Sequence, residues 1–216
     1  MSETPTSGFR SRLFAALYDR VLAPSEEAGL AERRRELLAQ ANGRVLELGA
    51  GTGINVPYYT DAAESIVMTE PDCNMLKRLR RKIAASPQGR FIEVGSADAG
   101  NLPFPDASFD TVVSTLVLCT VGDPERTLEE VHRVLKPGGR LLFMEHVLGK
   151  GSTARRQHLV ARPWAAVACG CRCDRPTHDT ISASSLELQE LEHGRMPKAT
   201  KFLSPLIQGR AIRPKA

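Results

Sequence analysis

Residues 44–53, Arg44-Val45-Leu46-Glu47-Leu48-Gly49-Ala50-Gly51-Thr52-Gly53, decide the fold. A short apolar run ends in three glycines spaced by two, the pattern of a strand handing over through a tight turn to a helix. Glycine lets the backbone turn with positive φ and lets a ligand approach without meeting a Cβ, while the start of the next helix offers free N–H groups. The loop reads as a nucleotide or cofactor cradle. Its spacing is G-x-G-x-G, with Glu47 two residues before the first glycine, and not the G-x-G-x-x-G of dinucleotide binding, which disfavours a nicotinamide dehydrogenase.

Working outward, four more apolar runs follow as strands at residues 65–69, 90–94, 109–118 and 140–144. The fourth is almost continuously apolar, as a strand buried on both faces should be. Helical stretches lie between them at 72–85 and 123–135, the latter closed by Lys136-Pro137-Gly138-Gly139. Alternating strands and helices predict a doubly wound parallel α/β domain over residues 41–148. Upstream, Phe9, Leu13, Phe14, Leu17, Tyr18 and Val21 recur at helical steps, so an amphipathic helix is expected to stop near Pro24. A second helix should start at Ser25 as N-cap and run to Asn42-Gly43. The expected organisation is a helical lid over residues 1–40, with 1–8 loose, and a main domain over 41–216. That domain divides into a core, 41–148, and C-terminal strands with a basic tail, 149–216. In the tail, 155–167 reads as a helix, 185–192 as helix or strand, and 203–212 as an edge strand interrupted by Pro205 and Gly209.

In the 216-residue chain, 42% hydrophobic and 25% charged residues exclude disorder, collagen and coiled coil. No apolar run reaches the ~18 residues of a spanning helix, and the opening MSETPTSGFRSR has no apolar core before a cleavage site, so a cytoplasmic chain is expected. The five cysteines are odd in number, and Cys169, Cys171 and Cys173 are too closely spaced for a disulfide framework or the usual zinc-ligand gaps, so no metal is expected. Residues 1–149 carry 17 basic and 20 acidic groups, a balance of −3, and residues 150–216 carry 12 and 5, a balance of +7. The basic tail suits an acidic substrate, a membrane surface, nucleic acid or simply a solvated face.

Strand tips supply the remaining candidates. Glu70, seventeen residues past Gly53, ends the second strand in Thr69-Glu70-Pro71-Asp72. A carboxylate there can accept hydrogen bonds from both ribose hydroxyls of an adenosine-containing ligand, whereas Asp72 suits the next helix start. Asp98 ends the third strand and can accept from an adenine amino group, with Ala97 and Leu102 near the ring; a loop cap is its alternative. His146, at the tip of the fifth strand, is the best placed general base, with a plain hydrogen-bonded histidine as the alternative. His132 is expected to be structural. Cys119 lies either at an acceptor pocket or in the core.

The strings VLELGAGTG (45–53), EPDCNML (70–76), SADAGNLPFPDASFD (96–110) and EEVHRVLKPGGRLLFMEH (129–146) resemble the successive motifs of class I S-adenosylmethionine-dependent methyltransferases, in the ubiquinone/menaquinone-related subset. The resemblance implies a Rossmann-like sheet of seven strands, the last antiparallel, with two strands beyond residue 150. It implies S-adenosyl-L-methionine as cofactor. Glu47, Gly49, Gly51 and Gly53 match its methionine-binding loop, Glu70 the ribose acid and Asp98 the adenine-side acid, with Pro71, Ala97 and Leu116 beside them.

A closer resemblance to the group that methylates small alkyl thiols rests on Leu116–Val121, Phe143–Val147, Pro163-Trp164, Gly170-Cys171 and Arg175-Pro176-Thr177. It implies a small apolar acceptor, a thiol favoured, with a quinol, phenol or other C- or O-acceptor as alternative and a non-catalytic S-adenosylmethionine-binding protein as the reading from another class. With no Asn/Asp-Pro-Pro-Tyr/Phe string after the fourth strand, nucleic acid is not expected as a partner. The stripe through Leu13, Leu17 and Tyr18 is expected to close over the crevice; weak membrane contact beside Arg10, Arg12 and Arg20 is its alternative. The oligomeric state is left open.

Overall fold

The computed structural model describes residues 8–215; the expected looseness of residues 1–7 lies outside them. Seven strands form one sheet: β1 (Gly43–Leu48), β2 (Ala63–Thr69), β3 (Ile92–Gly95), β4 (Phe109–Thr115), β5 (Leu135–His146), β6 (Glu187–Arg195) and β7 (Pro205–Ile212), in the order β3-β2-β1-β4-β5-β7-β6. The first five are parallel, and β7 runs antiparallel to both β5 and β6. The helices are α1 (Phe9–Ser25), α2 (Ala31–Leu38), α3 (Cys73–Ala84), α4 (Pro124–Val134), α5 (Ser152–Val167) and α6 (Thr177–Ala183).

Two cores form because both sheet faces are covered. Leu46, Val112 and Phe143 pack with Leu128 and Val131 of α4 on one side. Val45, Val113 and Leu142 pack with Leu37 of α2 and Leu79 of α3 on the other. Neighbouring residues along a strand thus serve opposite cores, which is why these strands are apolar without alternation.

The chain departs from expectation where local signals compete with packing. After Gly53 no α-helix starts; turns lead to a single 3₁₀ turn, Val56–Tyr58, so no helix N-terminus stands over the glycines. Pro24 lies inside α1, and Ser25 is helical and caps nothing. The break comes at Gly29, whose φ of +124° a residue with a Cβ rarely adopts, after the helix has widened over Glu26–Leu30. α1 is also turned over. Phe9, Leu13, Leu17 and Val21 are 81%, 48%, 40% and 72% exposed, whereas Ser11 and Ala15 are buried. Small side chains let α1 sit close on α3, tied by Ser11 to Asp72 and Asn74 and by Asp19 to Lys82.

β4 ends at Thr115 rather than 118, and β5 begins at Leu135, so Lys136–Gly139 belong to a strand with irregular register instead of closing a helix. Residues 187–195 resolve to strand. β7 is interior, not an edge: Pro205 is its first residue, where a missing N–H costs no ladder bond, and Gly209 admits β6, since a Cβ there would meet the Glu190 carbonyl oxygen at 2.0 Å.

Candidate active site

The tips of β3, β2, β1 and β4 stand in a row at the carboxyl end of the sheet, the position where open α/β sheets bind ligands. The β1 loop makes the floor. Gly49, Gly51 and Gly53 have φ of +52°, +58° and +83°. They do different work. A Cβ on Gly49 would touch Val117 at 3.0 Å and one on Gly53 would meet Leu79 at 2.8 Å, so these two permit packing. A Cβ on Gly51 has only the Gly49 carbonyl oxygen within reach, at 3.9 Å, and would project into open space. Gly51 is therefore where a ligand can meet bare backbone.

Glu47 is buried and accepts hydrogen bonds from Asn55 Nδ2 at 2.9 Å and the Tyr59 hydroxyl at 2.6 Å. Burial pushes its carboxyl up to about 7, opposed by those two bonds and then by the Arg34 charge. Arg34, buried in α2 with Glu26 as its ion-pair partner, donates to Asn55 Oδ1 at 2.8 Å and to Thr115 Oγ1 at 3.3 Å. A carboxylate and a guanidinium on one wall match the ammonium and carboxylate of an amino-acid ligand.

Glu70 Oε2 accepts from the Gly51 N–H and its Oε1 from the Asp72 N–H, both at 2.8 Å. Burial raises its carboxyl against those bonds. Pro71 follows, exposed. Ala97 and Asp98 stand two strands from Gly51, and Asp98 Oδ1 caps the Gly100 N–H at 2.7 Å. Leu116, directly after β4, has φ of +61°, a strained conformation for a branched side chain, held by its N–H bond to the Met144 carbonyl at 2.8 Å. Behind it, buried Glu145 accepts from Ser114 Oγ at 2.6 Å and from the Val117 and Leu118 N–H groups at 3.1 Å each. Burial raises Glu145 to about 7 against those bonds.

α1 closes the cleft. Asp19 accepts from Thr52 Oγ1 at 2.5 Å, and Tyr18 alone of the expected stripe faces inward, against Arg34, Glu47 and Gly51. The space left among them is about 20 Å³, room for about one water. His146 lines no part of it. The ring is buried at the β5–β7 seam near the Pro205 and Leu203 carbonyls, and desolvation pushes it down to about 4 against them, so it is neutral. Cys119 is buried in the loop after β4.

Arg34, Asn55, Tyr59 and Glu145 were not singled out from sequence, although two carried a signal. Arg34 shares a helical face with Leu30, Leu37, Leu38 and Ala41, all buried, and Glu145 interrupts the apolar run of β5.

Residues 46–143 match the methyltransferase domain family. Human thiol S-methyltransferase TMT1B is 35% identical over 206 residues, covering 89% of this chain and 83% of its own length. Human thiol S-methyltransferase TMT1A is 33% identical over 195 residues, 85% of this chain and 80% of its own. Among solved structures, a protein from Bacillus halodurans described as a methyltransferase superposes with a TM-score of 0.71 at 17% identity, covering 85% of this chain and 98% of its own, a likeness of fold.

Proposed function

The chain belongs to the class I S-adenosylmethionine-dependent methyltransferases, and from that premise we propose that its acceptor is a small apolar thiol. The observation that carries the acceptor is the 35% identity to human thiol S-methyltransferase TMT1B over 89% of this chain. The residues fit the cofactor by their chemistry. Glu47 and Arg34 would hold its ammonium and carboxylate, Gly51 its close approach to backbone, and Gly49 and Gly53 the tightly packed turn that presents it. Glu70, whose oxygens each keep a lone pair beyond the Gly51 and Asp72 bonds, would take the ribose hydroxyls. Asp98 and Ala97 would face the adenine, flanked by Pro71 and Leu116.

When bound, S-adenosylmethionine supplies a methyl group on a sulfonium, which is already a good leaving group. The protein's part is to align the acceptor and exclude water. α1 must lift for a nucleoside to enter a space of about 20 Å³ and reseat Tyr18 and Asp19 afterwards, which makes it a lid. A thiol with a pKa near ~8.5 is a few per cent thiolate at neutral pH and needs no strong base. This suits a cleft whose expected histidine, His146, faces the β5–β7 seam. With a small alkyl thiol, kcat/KM should climb with pH toward the thiol's own pKa, and His146→Gln should keep that profile within a few fold. A hundredfold collapse in folded His146→Gln would mean that the histidine acts as a base and favour a phenol or quinol acceptor.

A weak peripheral membrane contact is proposed for the outward stripe Phe9, Leu13, Leu17 and Val21, beside Arg10, Arg12 and Arg20. Co-sedimentation with anionic vesicles, lost in Leu13→Glu, tests it. No helix among the described residues is long and apolar enough to cross a membrane. The five free cysteines support a reducing compartment, and a cytoplasmic location is proposed on that ground.

A further inference from the structure

Two thiols meet beside the cleft although 52 residues separate them: Cys119, in the loop after β4, and Cys171, between α5 and α6, have sulfurs 3.7 Å apart. Both backbones are clamped. The Arg172 N–H donates to the Cys119 carbonyl at 2.7 Å, and the Arg175 guanidinium donates to the carbonyls of Leu118 at 2.5 Å and Val121 at 2.6 Å. From below, Glu145 holds the Val117 and Leu118 N–H groups. The sulfurs lie less than ~2 Å beyond bonding distance.

The two are not equivalent. Cys119 is buried, whereas Cys171 is partly exposed. Sharing a hydrogen bond with Cys171, together with burial, pushes the Cys119 thiol well up; the same bond, then the Trp164 indole and the Arg175 charge, draw Cys171 down. The buried Trp164 Nε1 has no hydrogen-bond partner, so it is free to face a thiolate. The neighbouring cysteines differ: the Cys169 thiol is pushed up by burial, and Cys173 points at the Gln157 carbonyl, 4.0 Å away.

We propose that Cys119 and Cys171 form a thiol–disulfide exchange site for small-molecule disulfides, with Cys171 attacking and Cys119 resolving. The Cys171 thiolate attacks one sulfur of R–S–S–R, forming a mixed disulfide and expelling RS⁻. That thiolate takes the Cys119 proton, and the Cys119 sulfur then attacks the Cys171 sulfur, expelling the second RS⁻, which is protonated from solvent. The protein dithiol is oxidised, one disulfide is reduced to two thiols, and the thiols released belong to the class proposed as methyl acceptors. The exchange itself does not depend on the acceptor assignment.

The test is to treat the reduced 216-residue chain with 2-hydroxyethyl disulfide, then measure released 2-mercaptoethanol and the intact mass and map peptides. The expected result is about two thiol equivalents per chain from this pair, beyond any taken up singly by the accessible Cys73 and Cys169, with a Cys119–Cys171 cross-link, no adduct on either member of the pair, and reversal by dithiothreitol. Cys119→Ser, with Cys119→Ala as a second variant of different polarity, should release about one equivalent and retain one 2-mercaptoethanol on Cys171. A lasting adduct on Cys119 or Cys171 of the wild type, a cross-link among Cys169, Cys171 and Cys173, or no release would each overturn the proposal. Because no methyl donor is present, these outcomes are independent of methyl transfer.

Discussion

Lowering the pH from 8 to 6 should weaken S-adenosylhomocysteine binding about tenfold, and Glu47→Gln should remove that dependence. Glu47 is raised from 4.5 to about 7, so ionising it within the fold costs about 2.5 × 1.36, or ~3 kcal/mol. The folded state holds a proton there that the unfolded state has released. The group's contribution to stability therefore declines as pH rises from 4.5 through about 7, and the full cost is present above that. An ammonium seated beside the carboxylate offsets part of the cost, so the ligand prefers the ionised form. About nine-tenths of the protein is in that form at pH 8 and about one-tenth at pH 6, hence the tenfold. Glu145 titrates in the same range but lies behind the loop after β4, which is why the substitution is needed to assign the effect. Isothermal titration at pH 6, 7 and 8 in buffers of different ionisation enthalpy reads both affinity and proton release, about half a proton at pH 7. Glu47→Gln should also be more stable at pH 8, by up to ~3 kcal/mol in denaturant unfolding. A flat wild-type profile, or an equal slope in Glu47→Gln, would refute the pairing of this carboxylate with the ligand's ammonium.

Gly51→Val should abolish S-adenosylhomocysteine binding while leaving the fold, because its side chain enters open space and the backbone strain is ~1–3 kcal/mol; unchanged affinity in the folded variant would remove Gly51 from the cradle. Glu70→Ala should weaken S-adenosylmethionine and S-adenosylhomocysteine alike, roughly ten- to a hundredfold, since a charged hydrogen bond is worth ~1.5–3 kcal/mol; calorimetric losses under threefold would count against a ribose role. His146 is lowered from 6.5 to about 4, so the stability from keeping it neutral is present above 6.5 and lost as pH falls toward 4. Denaturant unfolding should show the wild type losing ~3 kcal/mol relative to His146→Gln between pH 7 and pH 4, and a constant difference would mean that the ring is solvated.

The sheet was legible because its signals are local. Short, largely apolar runs such as Val45–Leu48 and Leu141–Met144 serve two cores at once, and their length and flanking glycines mark them as strands. Glu47, Glu70 and Asp98 were placeable at the carboxyl ends of strands for the same reason, since an acid in or just after such a run lands at that end of the sheet. What was not legible depends on partners distant in sequence. The face that α1 buries was misjudged because its apolar residues signal burial, whereas close seating on α3 selected Ser11 and Ala15. Arg34 reads as one of three solvated arginines until Glu26, Asn55 and Thr115 are seen around it. His146 shares its strand-tip address with the site residues, but the start of β7 takes up its ring.

The most direct test of the account is methyl transfer itself: the purified chain with methyl-labelled S-adenosylmethionine, against matched panels of small alkyl thiols, quinols, phenols and amines, with products identified by mass spectrometry. The account predicts label on sulfur, greatest for uncharged apolar thiols, and loss of product in Gly51→Val. Label on a quinol, phenol or amine with none on any thiol, or cofactor binding without transfer to any acceptor, would contradict it.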